Sequence, residues 1–152
     1  MGQFNRSVSW VDSDIIALAR AKSKKALPAL LEKARQLDAT REFSHFRSIA
    51  MALEVVGDQQ AAKVLAEVLA KPEIAGHAVS MSQTATAFPV FTTYQDKAGN
   101  EERTRVLREL ALARALYRTG DVEGKGEATL RAYAADPRGM YANHAKLVLQ
   151  KK

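Results

Sequence analysis

Apolar residues recur at helical spacing over most of the chain. Leu27, Leu30, Leu31 and Ala34 fall at i, i+3, i+4 and i+7, one face of a helix. Phe43, Phe46, Ile49, Ala50, Leu53 and Val56 form a longer stripe on a helix predicted from about Arg41 to Val56, with Thr40 as its N-cap. Gly57 ends that helix, and Asp58 caps the next, which buries Ala61, Ala62, Leu65, Val68 and Leu69. Upstream, residues 1–11 read as an extended lead-in, and Asp12 caps a short helix with Ile15, Ile16, Leu18 and Ala19 on its apolar face. Downstream, a helix from Arg103 to Thr119 turns Val106, Leu107, Leu110, Ala113, Leu116 and Tyr117 inward. Gly120 ends it and Asp121 caps its successor. That successor, residues 123–135, places Ala128, Leu130 and Tyr133 inward, while Gly124 and Gly126 weaken its first turn. Asp136-Pro137-Arg138-Gly139 is a turn, and a last helix carries Tyr141, Ala142, Ala145 and Val148.

Residues 72–100 break the pattern and read as a long loop, with a short helix expected within 76–86. Pro89 argues against a central strand through Phe88–Tyr94. Long loops inside compact domains are uncommon and often functional. Phe88, Val90, Phe91 and Tyr94 are therefore the residues expected to touch a partner.

An internal repeat sets the architecture. Ala50-Met51-Ala52-Leu53 with Gly57-Asp58 recurs 63 residues later as Ala113-Arg114-Ala115-Leu116 with Gly120-Asp121. A fainter copy begins at Ala17. One helical hairpin cannot bury its apolar face alone, so hairpins stack. The expectation is an all-α single domain, 1–152: a short right-handed solenoid of about three antiparallel helical hairpins of the HEAT-like type, with the 72–100 loop inserted.

Composition narrows the chemistry. The absence of cysteine removes disulfides, thiolate metal sites and cysteine nucleophiles. No apolar run approaches a membrane span, and the N-terminus lacks a secretory pattern, so a cytoplasmic location and no membrane partner are expected. The net charge of +6 is spread along both halves of the chain, as for a solvated surface.

Several segments are more particular than a generic repeat. They are Phe43-Ser44-His45-Phe46-Arg47, Gly76-His77-Ala78, the run Leu107 to Tyr117 leading to Gly120-Asp121, and Tyr141-Ala142 with His144-Ala145. Together they resemble the C-terminal HEAT-like region of bacterial FAD-dependent oxidoreductases, over residues 10–150. The resemblance implies an accessory domain beside an oxidoreductase domain, in cis or in trans. It carries no flavin-binding residue onto this chain, which has no strand followed by Gly-x-Gly-x-x-Gly.

No catalytic constellation emerges. His45, His77 and His144 are too far apart for a local metal motif. Ser44 and His45 are adjacent on a helix and point about 100° apart. Gly120-Asp121-Val122-Glu123-Gly124-Lys125 is one residue short of a phosphate loop. Arg47 and Arg108 are expected to pair with Glu54 and Glu109 or with helix ends. The reading is a non-catalytic scaffold or protein-interaction domain with no cofactor and no metal. The alternative is a nucleic-acid-binding domain using a basic helix face of Arg103, Arg105, Arg108 and Arg114.

Overall fold

The computed structural model describes residues 9–22, 24–83 and 97–151, and among them all regular structure is helical. Seven α-helices follow in order: α1 (Trp10–Arg20), α2 (Leu27–Arg35), α3 (Phe43–Val56), α4 (Gln59–Leu69), α5 (Lys97–Thr119), α6 (Lys125–Ala134) and α7 (Met140–Leu149). The expected all-α class holds for these residues. α1 packs on α3 and α3 on α5; α2 lies against α3 and α4; α4 lies against α5; α5, α6 and α7 pack each on the next.

α5 is the central helix. Val106, Leu110 and Ala113 are buried on one side of it, and Leu112, Ala115 and Thr119 on the opposite side. Its neighbour α3 runs alongside in the same direction. Near the start of α3 and the middle of α5, the Arg108 guanidinium sits 4.9 Å above the Phe46 ring. Near the end, Glu54 accepts from Arg114 Nε (2.8 Å) and Arg118 Nη1 (2.6 Å). The two repeat copies are buried alike, with Ala50, Ala52 and Leu53 on α3 matching Ala113, Ala115 and Leu116 on α5.

The two Gly-Asp turns are built differently. After α3, Gly57 takes the left-handed conformation (φ +67°), and Asp58 caps α4 by accepting from the Gln60 N–H (2.9 Å). After α5, Asp121 itself is left-handed (φ +41°). Its carboxylate reaches into α6, accepting from the N–H groups of Gly126 (2.6 Å) and Glu127 (3.1 Å). Gly126 is not a weak point in that helix but the place where α6 crosses α5. A Cβ there would lie 2.7 Å from Tyr117 N and 2.9 Å from Ala113 O. The buried face of α6 is accordingly Gly126, Leu130 and Tyr133, and Ala128, expected inward, is exposed. α3 and α4 have no comparably close backbone approach.

Some boundaries differ from expectation for local reasons. α1 starts at Trp10 because Ser9 Oγ accepts from the Val11 N–H (3.2 Å), which leaves Asp12 buried in the first turn. Thr40 does not cap α3; its N–H and hydroxyl both donate to Asp38 Oδ1 (2.8 and 2.6 Å). α5 starts at Lys97, ahead of the expected Arg103, and Thr104 Oγ1 donates back to Asn100 O within its early turns (2.7 Å). Gly76–Ser80 are irregular and Met81–Gln83 form a single 3₁₀ turn, where a short helix was expected within 76–86; residues 84–86 lie outside the described residues.

Glu42 joins the connection before α3 to its surroundings. It accepts from Lys33 Nζ (2.9 Å) and the Asp38 N–H (3.0 Å), and the His45 Nδ1 lies 3.2 Å away. The Asp38 N–H, the Lys33 ammonium and the His45 ring outweigh burial and hold its pKa down to about 2. A depressed carboxyl pKa stabilises the fold above the unfolded value of 4.5 and loses that effect as pH falls toward about 2. The loss should be on the order of 2 kcal/mol, discounted because water partly screens the group. Urea midpoints measured down to that pH should fall less steeply in Glu42→Gln than in the parent.

Candidate functional site

The irregular segment after α4 is gripped by three side chains from two places. Glu109, buried on α5, accepts from the N–H groups of Gly76 (2.8 Å) and His77 (2.9 Å) and from the Tyr133 hydroxyl on α6 (2.6 Å). Asp136, in the turn before α7, accepts from the Val79 N–H (2.9 Å) and the Arg138 N–H (2.8 Å). The Arg138 guanidinium completes the clamp. It donates to Asp136 Oδ2 (2.6 Å), to Glu102 Oε1 (2.9 Å) and to the His77 carbonyl (2.6 Å), and lies over the Tyr141 ring at 5.1 Å. Tyr133 and Tyr141 meet edge to face at 6.5 Å.

The electrostatics agree with the geometry. Burial alone would raise the pKa of Asp136, but the bonds from Arg138 and Val79 outweigh it and hold the carboxyl below its usual range. Burial likewise opposes the charge on Arg138, and Asp136 and Glu102 raise its pKa nonetheless. Burial and the adjoining Glu109 charge push the Tyr133 phenol well above its usual value, so it stays a hydrogen-bond donor. The ionised groups of the clamp are thus committed to one another and to backbone, an arrangement suited to fixing a chain path rather than moving protons.

A second feature lies on the other flank of α5. A cleft of about 650 Å³ opens between the α2–α3 connection at Ala39 and Thr40, Glu73 after α4, and the early turns of α5. Asn100, Glu101, Thr104, Arg105 and Arg108 line the α5 wall. Arg108 is only 5% exposed, and its Nε is enclosed with no hydrogen-bonding partner among the described residues. Burial and the neighbouring charge of Arg105 lower its pKa, and Asp38 and Glu73 act in the opposite sense.

The residues expected to form one basic face are therefore divided. Arg105 and Arg108 share the cleft, Arg114 is held by Glu54 together with Arg118, and Arg103 is exposed. Arg108 does not pair with Glu109, whose oxygens are taken by the clamp, and Glu54 serves Arg114 and Arg118 in place of Arg47. Phe88, Val90, Phe91 and Tyr94 lie outside the described residues.

The histidines stand in three unrelated settings. His45 bridges Glu42 and Ser9 Oγ (3.2 Å). His77 is anchored through its backbone, with its Nε2 enclosed and without a partner among the described residues. His144 faces Arg114 and Arg118, which add to partial burial in lowering its pKa against the pull of Glu54. No group of three or more potential ligands capable of holding a metal ion occurs among the described residues. No helix among them is long and apolar enough to cross a membrane.

A signal for the clamp was present in the sequence. Glu109 occupies the stripe Val106, Leu110, Ala113, one position from Leu110 and three from Val106, where an unpaired charge would be costly. Its partners, 24 to 33 residues away, were not inferable from spacing. No protein-family model, curated protein or solved structure matches the chain.

Proposed function

We propose that this chain is a non-catalytic, HEAT-like helical-repeat domain that binds another protein. The observation that carries the reading is the clamp of Glu109, Asp136 and Arg138 on residues 76–79. Burying three charged side chains contributes less stability than apolar packing would, so such a network is better suited to specifying one conformation. Here it specifies the path of an irregular connection whose next residues, Ser80–Gln83, are exposed. A connection held in one shape is a pre-organised binding element, which lowers the entropy lost on association.

The side-by-side, same-direction placement of α3 and α5, the two copies of the 63-residue repeat, supports the repeat reading. The resemblance noted above makes the partner an FAD-dependent oxidoreductase domain.

Met81, 71% exposed, is the side chain to perturb. The tagged chain should retain a flavin-bearing protein, read from the flavin absorbance of the captured fraction. Met81→Glu should cut that retention about tenfold, the scale of an interface residue worth about 1.4 kcal/mol. Its melting temperature should stay unchanged. Equal retention by parent and variant, or a captured fraction free of flavin, would overturn the reading.

A further inference from the structure

The clamp uses every charged group it buries; the cleft across α5 does not. Arg108 makes no hydrogen bond and no ion pair among the described residues, and its guanidinium lies over the Phe46 ring. A guanidinium is always charged and presents a planar fork of donors. Stacking on Phe46 holds its plane but satisfies none of those donors. Its Nε is enclosed out of a guest's reach, so an acceptor arriving in the cleft would meet the terminal N–H groups of the guanidinium, which make no hydrogen bond among the described residues.

The surroundings narrow what that acceptor is. Arg105 lines the same wall and adds a second positive charge, so the guest is anionic where it meets the arginines. Glu73 and Glu101 line the cleft as well, and Asp38 acts on Arg108 electrostatically. Acids this near would repel a doubly charged phosphate more than a singly charged carboxylate. They would also welcome a cationic or hydrogen-bond-donating group elsewhere on the guest. A carboxylate matches the guanidinium fork with two parallel hydrogen bonds. The volume of about 650 Å³ is in the range of small-molecule sites.

We infer that this cleft binds a small zwitterionic carboxylate of the amino-acid type, with Arg108 gripping the carboxylate and Glu73 and Glu101 facing the ammonium end. Thr104 takes no part through its hydroxyl proton, which is donated to Asn100 O. Arg105, being exposed, supplies charge at the rim rather than a fixed contact.

The test uses the whole chain and three probes at matched ionic strength: glycine, acetate and inorganic phosphate. Binding is followed through the Nε–H resonance of Arg108, which a carboxylate on the fork must shift. Saturable shifts with glycine and weaker ones with acetate are expected. Arg108→Lys keeps the charge but loses the fork, and should weaken glycine binding at least tenfold. Arg108→Met fills the same space above Phe46 and should abolish it. Circular dichroism melts of both variants show whether the fold is intact, and the parent resonance shift stands by itself if either variant fails to fold. Phosphate binding tighter than glycine would overturn the ligand class. Undiminished binding by Arg108→Lys would overturn the role of the fork. No saturable shift with any probe would leave Arg108 a purely structural group and overturn the site.

Discussion

Asp136→Ala lowers the free energy of unfolding by about 3–4 kcal/mol at neutral pH, within the range for breaking a buried ion pair from one side. The side chain of Asp136 is fully enclosed and that of Arg138 is 11% exposed. Removing the carboxylate strands the Val79 and Arg138 N–H groups and takes away the guanidinium's principal counter-charge. Glu102 and the His77 carbonyl remain with Arg138, which keeps the loss below the top of that range. Asp136→Asn retains an acceptor for Val79 and should lose roughly half as much. The decisive measurement is a double-mutant cycle with Arg138→Met in urea. Because Arg138→Met removes the stranded charge, the double variant should be less destabilised than the sum of the singles. Strict additivity would mean that the two side chains do not act as a pair. Unfolding should be followed by far-UV circular dichroism, since the lone tryptophan, Trp10, is 88% exposed and reports poorly on the core.

Gly126→Ala is expected to destabilise by about 2 kcal/mol, although glycine to alanine inside a helix ordinarily stabilises by up to about 1 kcal/mol. The sign is reversed because the added Cβ meets backbone as well as the Asp121 carboxylate, and the backbone cannot swing away. Tyr117 N and Ala113 O would both lie under 3.0 Å from it. Either α6 lifts off α5 or the Asp121–Gly126 bond of 2.6 Å stretches. Gly124→Ala is a useful contrast. Its Cβ would meet nothing, so its cost comes only from the left-handed backbone at φ +66°. Thermal melts of the two variants separate crowding from backbone strain. A Gly126→Ala protein as stable as the parent would show that the crossing is looser than described.

These two positions also show what could be read from the residues alone. The stripes Leu27–Ala34 and Phe46–Leu53 and the Gly57–Asp58 turn were legible because a helix face and its caps are local properties. Gly126 was read as a weakness because propensity knows nothing of a second backbone lying against it. Ala128 was placed inside on the same ground, and the crossing at Gly126 turned the helix face away from it. Arg108 was read as one of a basic face or as pairing with Glu109 or a helix end, and Glu109 betrayed itself only by its place beside the apolar stripe. Their burial comes from packing α5 on several sides at once, and the groups that satisfy Glu109 belong to α6 and to the connection after α4. Asp136-Pro137-Arg138-Gly139 was recognisable as a turn, but its side chains' hold on residues 77 and 79 was not.

The clamp also imposes an order on biosynthesis. The Val79–Asp136 bond spans 57 residues, and the His77–Arg138 bond spans 61. At a synthesis rate of roughly 5–20 residues per second, Asp136 is made about 3–11 s after Val79. Helices form and pair far faster than that. α1 to α4 can therefore assemble while the segment at 76–79 still has nothing to hold it. A nascent chain paused before Glu109 would carry that segment unanchored, and one paused between Glu109 and the turn at 136–138 would carry it held at residues 76 and 77 alone, open to a chaperone or a protease that the finished protein would not admit.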